Sequence, residues 1–399
     1  MAPKELISPT FCAAPWTVHC INADGTAGVC CVNNTALTDS TRHSDMIGSA
    51  DVRKMKQDML AGRPAAGCEK CYDHEAAGVY SLRNLYNDLT TDRLDHASLY
   101  ADEYENRTWY DLSLGNKCNQ KCRICGPYNS TAWAKDAKAL ADLKWTHVNW
   151  RELDDVLIES HSAIPGILTS MQRASGKFRI ELKGGEPLYM DSSRELIAKM
   201  LELGLHEKTE ELRIITNGTQ HDPRLLDMLR QFPAIDMALS IDATGKLHEY
   251  TRGTNMTWDD CRRSWSTVTA LPNIKRLRIS NTIYAYTIFD LGNLRNWVRS
   301  EFGFETEMAD ALLHKPRYLH AKVVPYHLRA EAVSNLDSTD EMKDILLAEP
   351  TATEFGNSLA LDEIIDDLRY QFKTFTLRMD QQRSESLLTI VPRLAELLS

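Results

Sequence analysis

Ten cysteines are spread unevenly over 399 residues. Cys12, Cys20, Cys30, Cys31, Cys68 and Cys71 crowd the first 71 positions, Cys118, Cys122 and Cys125 form a tight trio, and Cys261 stands alone. In a reducing compartment, clustered cysteines read as metal or cluster ligands before they read as disulfides. The trio has the spacing C-x3-C-x2-C. Three thiolates on one short loop can hold three irons of a [4Fe–4S] cluster and leave the fourth iron open. An open coordination position is what a catalytic metal centre needs. A zinc loop would need a fourth ligand close by, and no histidine lies between 109 and 135. Cys12, Cys30, Cys68 and Cys71 make a second set of four, enough for a complete [4Fe–4S] site or a Cys₄ zinc ribbon. Ligand count alone leaves both open.

The elements that must position these thiols change character along the chain. Residues 22–34 read as a turn at Asp24-Gly25 feeding a short strand. Residues 47–62 read as a helix with Ser49 as N-cap and Gly62 at its C-terminal end. From 109 onward strands are expected at 109–114, 178–183, 212–217, 235–242, 274–284 and 318–325. Helical stretches are expected at 128–143, 151–172, 192–204, 223–231, 257–270 and 287–301. Six strands alternating with helices predict parallel pairing with right-handed crossovers. The count falls short of a closed eight-stranded barrel. The predicted fold is therefore α/β, a partial (β/α)6 TIM-like barrel. It carries an N-terminal cysteine-rich segment and a C-terminal helical cap that includes a helix over 359–383. The domains follow: 1–75, a helical linker 76–108, the barrel 109–330 and the cap 331–399. The trio directly follows the first barrel strand, and in parallel α/β folds chemistry sits at the carboxyl ends of strands.

Three further segments occupy strand ends. Gly184-Gly185-Glu186-Pro187 follows the second barrel strand, Thr216-Asn217-Gly218 ends the third, and Ser240 and Asp242 end the fourth. Two glycines let backbone approach a ligand closely, and Glu186 offers an acceptor to an ammonium group. Capping of the next helix would equally explain Asn217, Ser240 and Asp242 taken singly. With the cysteine trio, these segments resemble the radical SAM superfamily. The resemblance implies that the open iron is chelated by S-adenosylmethionine (SAM). It also implies that one electron cleaves SAM to methionine and a 5′-deoxyadenosyl radical, which abstracts a substrate hydrogen atom. By the same resemblance, Gly184 to Pro187 face the methionine amino group. Asn217, Ser240 and Asp242 match ribose- and carboxylate-facing positions. Arg252 matches the arginine that pairs with the methionine carboxylate, a job suited to its planar fork. Ile124 stands where an aromatic residue is frequent, and can still cover the adenine face.

The N-terminal pattern C-x12-G-x4-C, with Gly67-Cys68-x2-Cys71-Tyr72, is similar to the SPASM/twitch auxiliary-cluster signature, here placed before the barrel. It implies a second [4Fe–4S] cluster on Cys12, Cys30, Cys68 and Cys71. Such a cluster would take an electron from a substrate radical, pass one to the first cluster, or shape the pocket. Cys31 is left to pack or to act as an alternate ligand, Cys20 to be buried, and Cys261 to sit in the core. The family implies a flavodoxin or ferredoxin as reductant and a peptide or small molecule as substrate. Tyr189, Tyr284, Tyr286, Asp290 and His320 remain open as proton-handling groups, and Asn281 is unassigned.

Composition narrows the field. Lys and Arg number 46 against 56 Asp and Glu, a net charge of −10. That balance argues against non-specific nucleic-acid or anionic-membrane binding. No apolar run reaches the ~20 residues of a membrane span, and the N-terminus lacks the apolar core of a secretory signal, so the expected location is the cytoplasm. Two readings compete with a radical SAM oxidoreductase: a non-catalytic zinc- or cluster-stabilised adaptor, and a radical SAM enzyme acting on RNA.

Overall fold

The computed structural model describes residues 7–33, 46, 48–76, 80–100, 107–147, 157–253, 255–303, 305–351, 354–355 and 360–399. The start of the helix expected at 151–172, single residues 34, 47 and 359, and parts of the linker (77–79, 101–106) lie outside them. The fold is α/β. Among the described residues there are eight strands: β1 (Val18–Ile21), β2 (Ala27–Gly28), β3 (Trp109–Ser113), β4 (Phe178–Lys183), β5 (Thr209–Thr216), β6 (Ile235–Ser240), β7 (Ile274–Ile283) and β8 (Glu307–Leu312). Their order is β2-β1-β3-β4-β5-β6-β7-β8. The six strands β3 to β8 follow chain order, as a partial TIM-like array requires. The pairs β3–β4, β4–β5 and β7–β8 are parallel. The chain divides into two compact units. One comprises Met1–Asn116, Leu157–Ile214 and Asp222–Asp236; the other comprises Lys117–Val156, Ile215–His221 and Met237–Ser399.

In the first unit the cysteine-rich segment supplies strands of its own. β1 runs parallel to β3, with Cys20 in register with Asp111. The turn expected at Asp24-Gly25 is present: Gly25 has φ +83°, and β2 returns antiparallel to β1. The next helix, Ala50–Leu60, has Ser49 as its cap, accepting from the Val52 N–H at 3.2 Å. β4 alternates strictly, burying Phe178, Ile180 and Leu182. Its alternate residues place Glu181 in register with Asp111 on one side and Arg213 on the other. One face of the sheet thus carries a charged row, closed by Lys183–Asp111 (2.5 Å), Arg213–Glu181 (3.2 Å) and Arg213–Asp236 (3.0 Å).

The second unit buries Tyr250, Tyr284, Tyr286, Tyr318, Phe372, Phe375 and Met379 in one core. The helix Leu361–Arg383 delivers the last three from one face. The strand expected at 318–325 does not form. Arg317–Leu319 and Ala321–Val323 are short 3₁₀ turns, and the sixth strand of the array is β8. Leu319, Ala321, Val323 and Val324 are buried, and the segment's β pairing among the described residues is an isolated bridge between His320 and Tyr284. β8 escapes sequence reading because its residues are half-buried or exposed and no apolar alternation marks it. Among the described residues no helix is long and apolar enough to cross a membrane.

Candidate functional site

The cysteine trio lies in the second unit, and the side chains of Asn217 and Arg252 reach two of its sulfurs. Asn217, just past β5, places Nδ2 3.8 Å from Cys118 Sγ and 2.9 Å from Asn119 Oδ1. Its Oδ1 accepts from the Thr219 N–H at 2.9 Å, so the strand-end turn fixes the amide. Arg252, at the end of the helix Gly245–Arg252, places Nη1 3.8 Å from Cys122 Sγ. Its Nη2 pairs with Asp242 at 2.8 Å, and Asp242 also accepts from the Thr282 N–H at 2.9 Å. Arg252 is 7% exposed, and its Nε has no hydrogen-bond partner among the described residues. A buried donor of this kind is costly unless a ligand satisfies it. Gly218, at φ +62°, is needed here. A Cβ would stand 2.9 Å from both Leu239 and Trp265, and Trp265 Nε1 donates to the Asn217 carbonyl at 2.8 Å.

Burial raises the Cys122 thiol, while Arg252 pulls it back down. Burial, with Cys122 nearby, pushes Cys125 up to about 12. Metal binding requires thiolates, so the positive charge and amide donors beside these sulfurs suit a bound cluster. Ile124 is half-buried against the core of this unit. Ser240 ends β6, half-buried. Asn281 donates to Asp310 at 2.7 Å and Tyr286 exchanges a hydrogen bond with Thr376 at 2.6 Å, so both have partners elsewhere.

Sequence reasoning passed over the residues that fix the loop from behind. Arg123 is completely buried, stacked 3.7 Å over Tyr250, and pairs with Asp380 (2.7 Å) and Glu385 (2.6 Å). Its backbone N–H donates to the Thr251 carbonyl at 2.8 Å. Trp133 Nε1 donates to the Cys122 carbonyl at 3.0 Å. His147 contacts the Cys125 carbonyl through Nε2 and the Tyr318 hydroxyl through Nδ1, both at 2.6 Å. The available signal was Asp380, a charge on the apolar face of a long helix.

Gly184 to Pro187 belong to the first unit. Gly184 (φ +77°) and Gly185 (φ +34°) both take the left-handed conformation. A Cβ on Gly184 would meet Ser113 Cβ at 2.7 Å. Glu186 is buried and its Oε1 accepts from the Leu188 N–H at 3.0 Å.

The same unit brings the N-terminal cysteines within electrostatic reach of one another. Burial pushes Cys12 up to about 12, and both Cys68 and Cys71 add to the effect. Burial raises Cys30 as well, with Cys31 and Cys12 contributing. Asn33 Nδ2 lies 3.6 Å from Cys68 Sγ, a donor again facing a sulfur. Among the described residues no three Cys, His, Asp or Glu side chains converge on a single ion position. A cluster instead asks each thiolate for its own iron. Cys31 lies within electrostatic reach of Asp111 and Lys183. Cys20 is buried, as is Cys261. His19 is buried against Tyr110 at 5.5 Å.

Residues 112–287 match the model of the Radical SAM superfamily. No curated protein matches the chain. Among solved structures it is similar to native anSMEcpe with bound AdoMet, at 14% identity and a TM-score of 0.40, over 56% of this chain and 57% of that one. It is also similar to Streptococcus suis SuiB bound to precursor peptide SuiA, at 15% identity and 0.38, over 61% and 52%. For SuiB bound to S-adenosylmethionine the figures are 15% and 0.38, over 64% and 56%. The chain spans little more than half the length of these proteins.

Proposed function

We propose that this protein is a radical SAM enzyme with an auxiliary iron–sulfur cluster in its N-terminal segment, oxidising or otherwise modifying a peptide or small molecule. The observation that supports it best is the pair of donors, Asn217 and Arg252, placed 3.8 Å from two sulfurs of the trio. The match over residues 112–287 supports it independently. A [4Fe–4S] cluster on Cys118, Cys122 and Cys125, with SAM at its open iron, would supply a 5′-deoxyadenosyl radical for hydrogen abstraction. The chain's own residues bind and orient. Arg252, held by Asp242, presents its unpartnered Nε to a carboxylate. Asn217, its amide held by Asn119 and Thr219, stands beside the Cys118 sulfur. Ile124 covers an apolar face; in the first unit, Glu186 on its glycine turn offers an acceptor of the kind an ammonium group needs. Cys12, Cys30, Cys68 and Cys71 are the proposed ligands of the auxiliary cluster, and a flavodoxin- or ferredoxin-type protein the proposed electron source.

Metal analysis tests the two-cluster reading. Protein purified and reconstituted without oxygen is expected to hold about eight irons, four per cluster. Replacing Cys12, Cys30, Cys68 and Cys71 by alanine together should remove about half of them. Zinc at the N-terminal set, with all iron on the trio, would overturn the auxiliary cluster.

A further inference from the structure

The second unit holds a cavity of about 490 Å³ that the proposed reaction does not use. Its size falls within the range of small-molecule sites. One wall is the helix Leu361–Arg383, where Glu363, Asp367 and Gln371 recur at four-residue spacing and therefore share a face. Lys315 and Arg317 line the cavity from a separate segment. Opposite charges thus stand on different elements around one space. Lys315, Arg317 and Glu363 form no ion pair among the described residues, while Asp367 accepts from Gln371 Nε2 at 2.7 Å. The remaining lining is largely aromatic and apolar. Trp145 meets Tyr318 edge-on at 5.3 Å, and Phe355, Ile364 and Leu368 are buried.

We propose that this cavity binds a zwitterion with a flat apolar body, an aromatic α-amino acid being the simplest such ligand. The carboxylate pairs with Lys315 and Arg317, the ammonium with Glu363 and Asp367, and the ring packs on Trp145 and Tyr318. The alternatives fit less well. A purely apolar ligand would use none of the four charges that line the cavity. A dianion meets two carboxylates, and a dication meets two cations. Tyr318 also joins the cavity to the cysteine loop, because its hydroxyl contacts His147, which contacts the Cys125 carbonyl. His147 itself lines the cavity, so the cavity wall stands one contact from a proposed cluster ligand. The binding itself needs neither cluster nor SAM, so it stands or falls separately from the proposed function.

Calorimetry on the full chain with three probes tests it: L-phenylalanine, phenylethylamine (no carboxylate) and 3-phenylpropanoate (no ammonium). L-Phenylalanine is expected to bind, and each truncated probe to bind about tenfold more weakly, the equivalent of ~1.4 kcal/mol. The double variant Lys315→Gln with Arg317→Gln should weaken L-phenylalanine about tenfold and leave phenylethylamine unchanged. Glu363→Gln with Asp367→Asn should weaken L-phenylalanine similarly and leave 3-phenylpropanoate unchanged. All four residues are exposed, so these variants fold. The proposal is overturned if L-phenylalanine does not bind, if the three probes bind alike, or if neither double variant alters its affinity.

Discussion

Replacing Cys122 with alanine is expected to abolish formation of 5′-deoxyadenosine and to remove the irons held by the trio. The reasoning is local. Three thiolates are the fewest that leave one iron of a cubane open, and removing one exposes a second iron to solvent and exchange. Arg252 Nη1 stands 3.8 Å from Cys122 Sγ, so the loss of this thiol also removes the contact between the trio and the arginine proposed to bind the carboxylate. The loop itself should survive. Its fold rests on Arg123, on the Trp133 bond to the Cys122 carbonyl and on the Cys125 N–H bond to the same carbonyl at 2.9 Å, none of which needs the Cys122 side chain. Thermal unfolding of the metal-free variant should match that of metal-free wild type. Cys261→Ala is the contrasting variant. Cys261 is completely buried on the helix Trp258–Thr269 and stands outside both ligand sets, so its truncation should cost stability and leave iron and product unchanged. Wild-type levels of 5′-deoxyadenosine from the Cys122 variant would remove the trio from the chemistry.

Asp380→Ala is expected to destabilise the protein by about 3 kcal/mol, the lower end for breaking a buried ion pair. Asp380 accepts from Arg123 at 2.7 Å, from the Tyr250 hydroxyl at 2.8 Å and from the Leu387 N–H at 2.7 Å. Alanine leaves a completely buried guanidinium with Glu385 as its remaining carboxylate, at 2.6 Å. That surviving partner is why the lower end applies. Glu385→Gln, at a partly exposed position, should cost less than about 1 kcal/mol. A loss of 3 kcal/mol corresponds to a fall of roughly 6–12 °C in Tm for a unit of this size. Because Arg123 lies between two cysteines of the trio, cluster retention should fall with stability in the Asp380 variant. Equal Tm values for the two variants would show that the Arg123 contact does not hold the loop.

The difference between these two sites marks what sequence can reveal. Cysteine spacing is covalent, so the C-x3-C-x2-C pattern is visible within eight residues. The glycines of 184–185 are legible for the same reason, since a turn's backbone demands are local. Asn217, Asp242 and Arg252 were singled out only through resemblance; the structure places all three in the second unit, with Arg252 paired to Asp242 and Asn217 beside Cys118. Arg123 and Asp380 were not legible because 257 residues separate them, and nothing local says that a charged residue in a loop is completely buried. The fold shows the same boundary. β4 was read correctly because its alternation is strict. β8 was missed because no apolar alternation marks it, and the apolar run at 318–325 was misread because burial alone leaves the same composition as a strand. β1, only four residues long, has no periodicity to read, although it carries Cys20 into register with Asp111.

The most direct measurement is 5′-deoxyadenosine itself. The full chain would be purified and reconstituted without oxygen, supplied with SAM and dithionite, and the product quantified by mass spectrometry. Product that depends on both reductant and SAM is the expected result, and it needs no knowledge of the substrate. A protein that carries zinc, lacks iron and forms no 5′-deoxyadenosine would contradict the account and make the chain a metal-stabilised binding module.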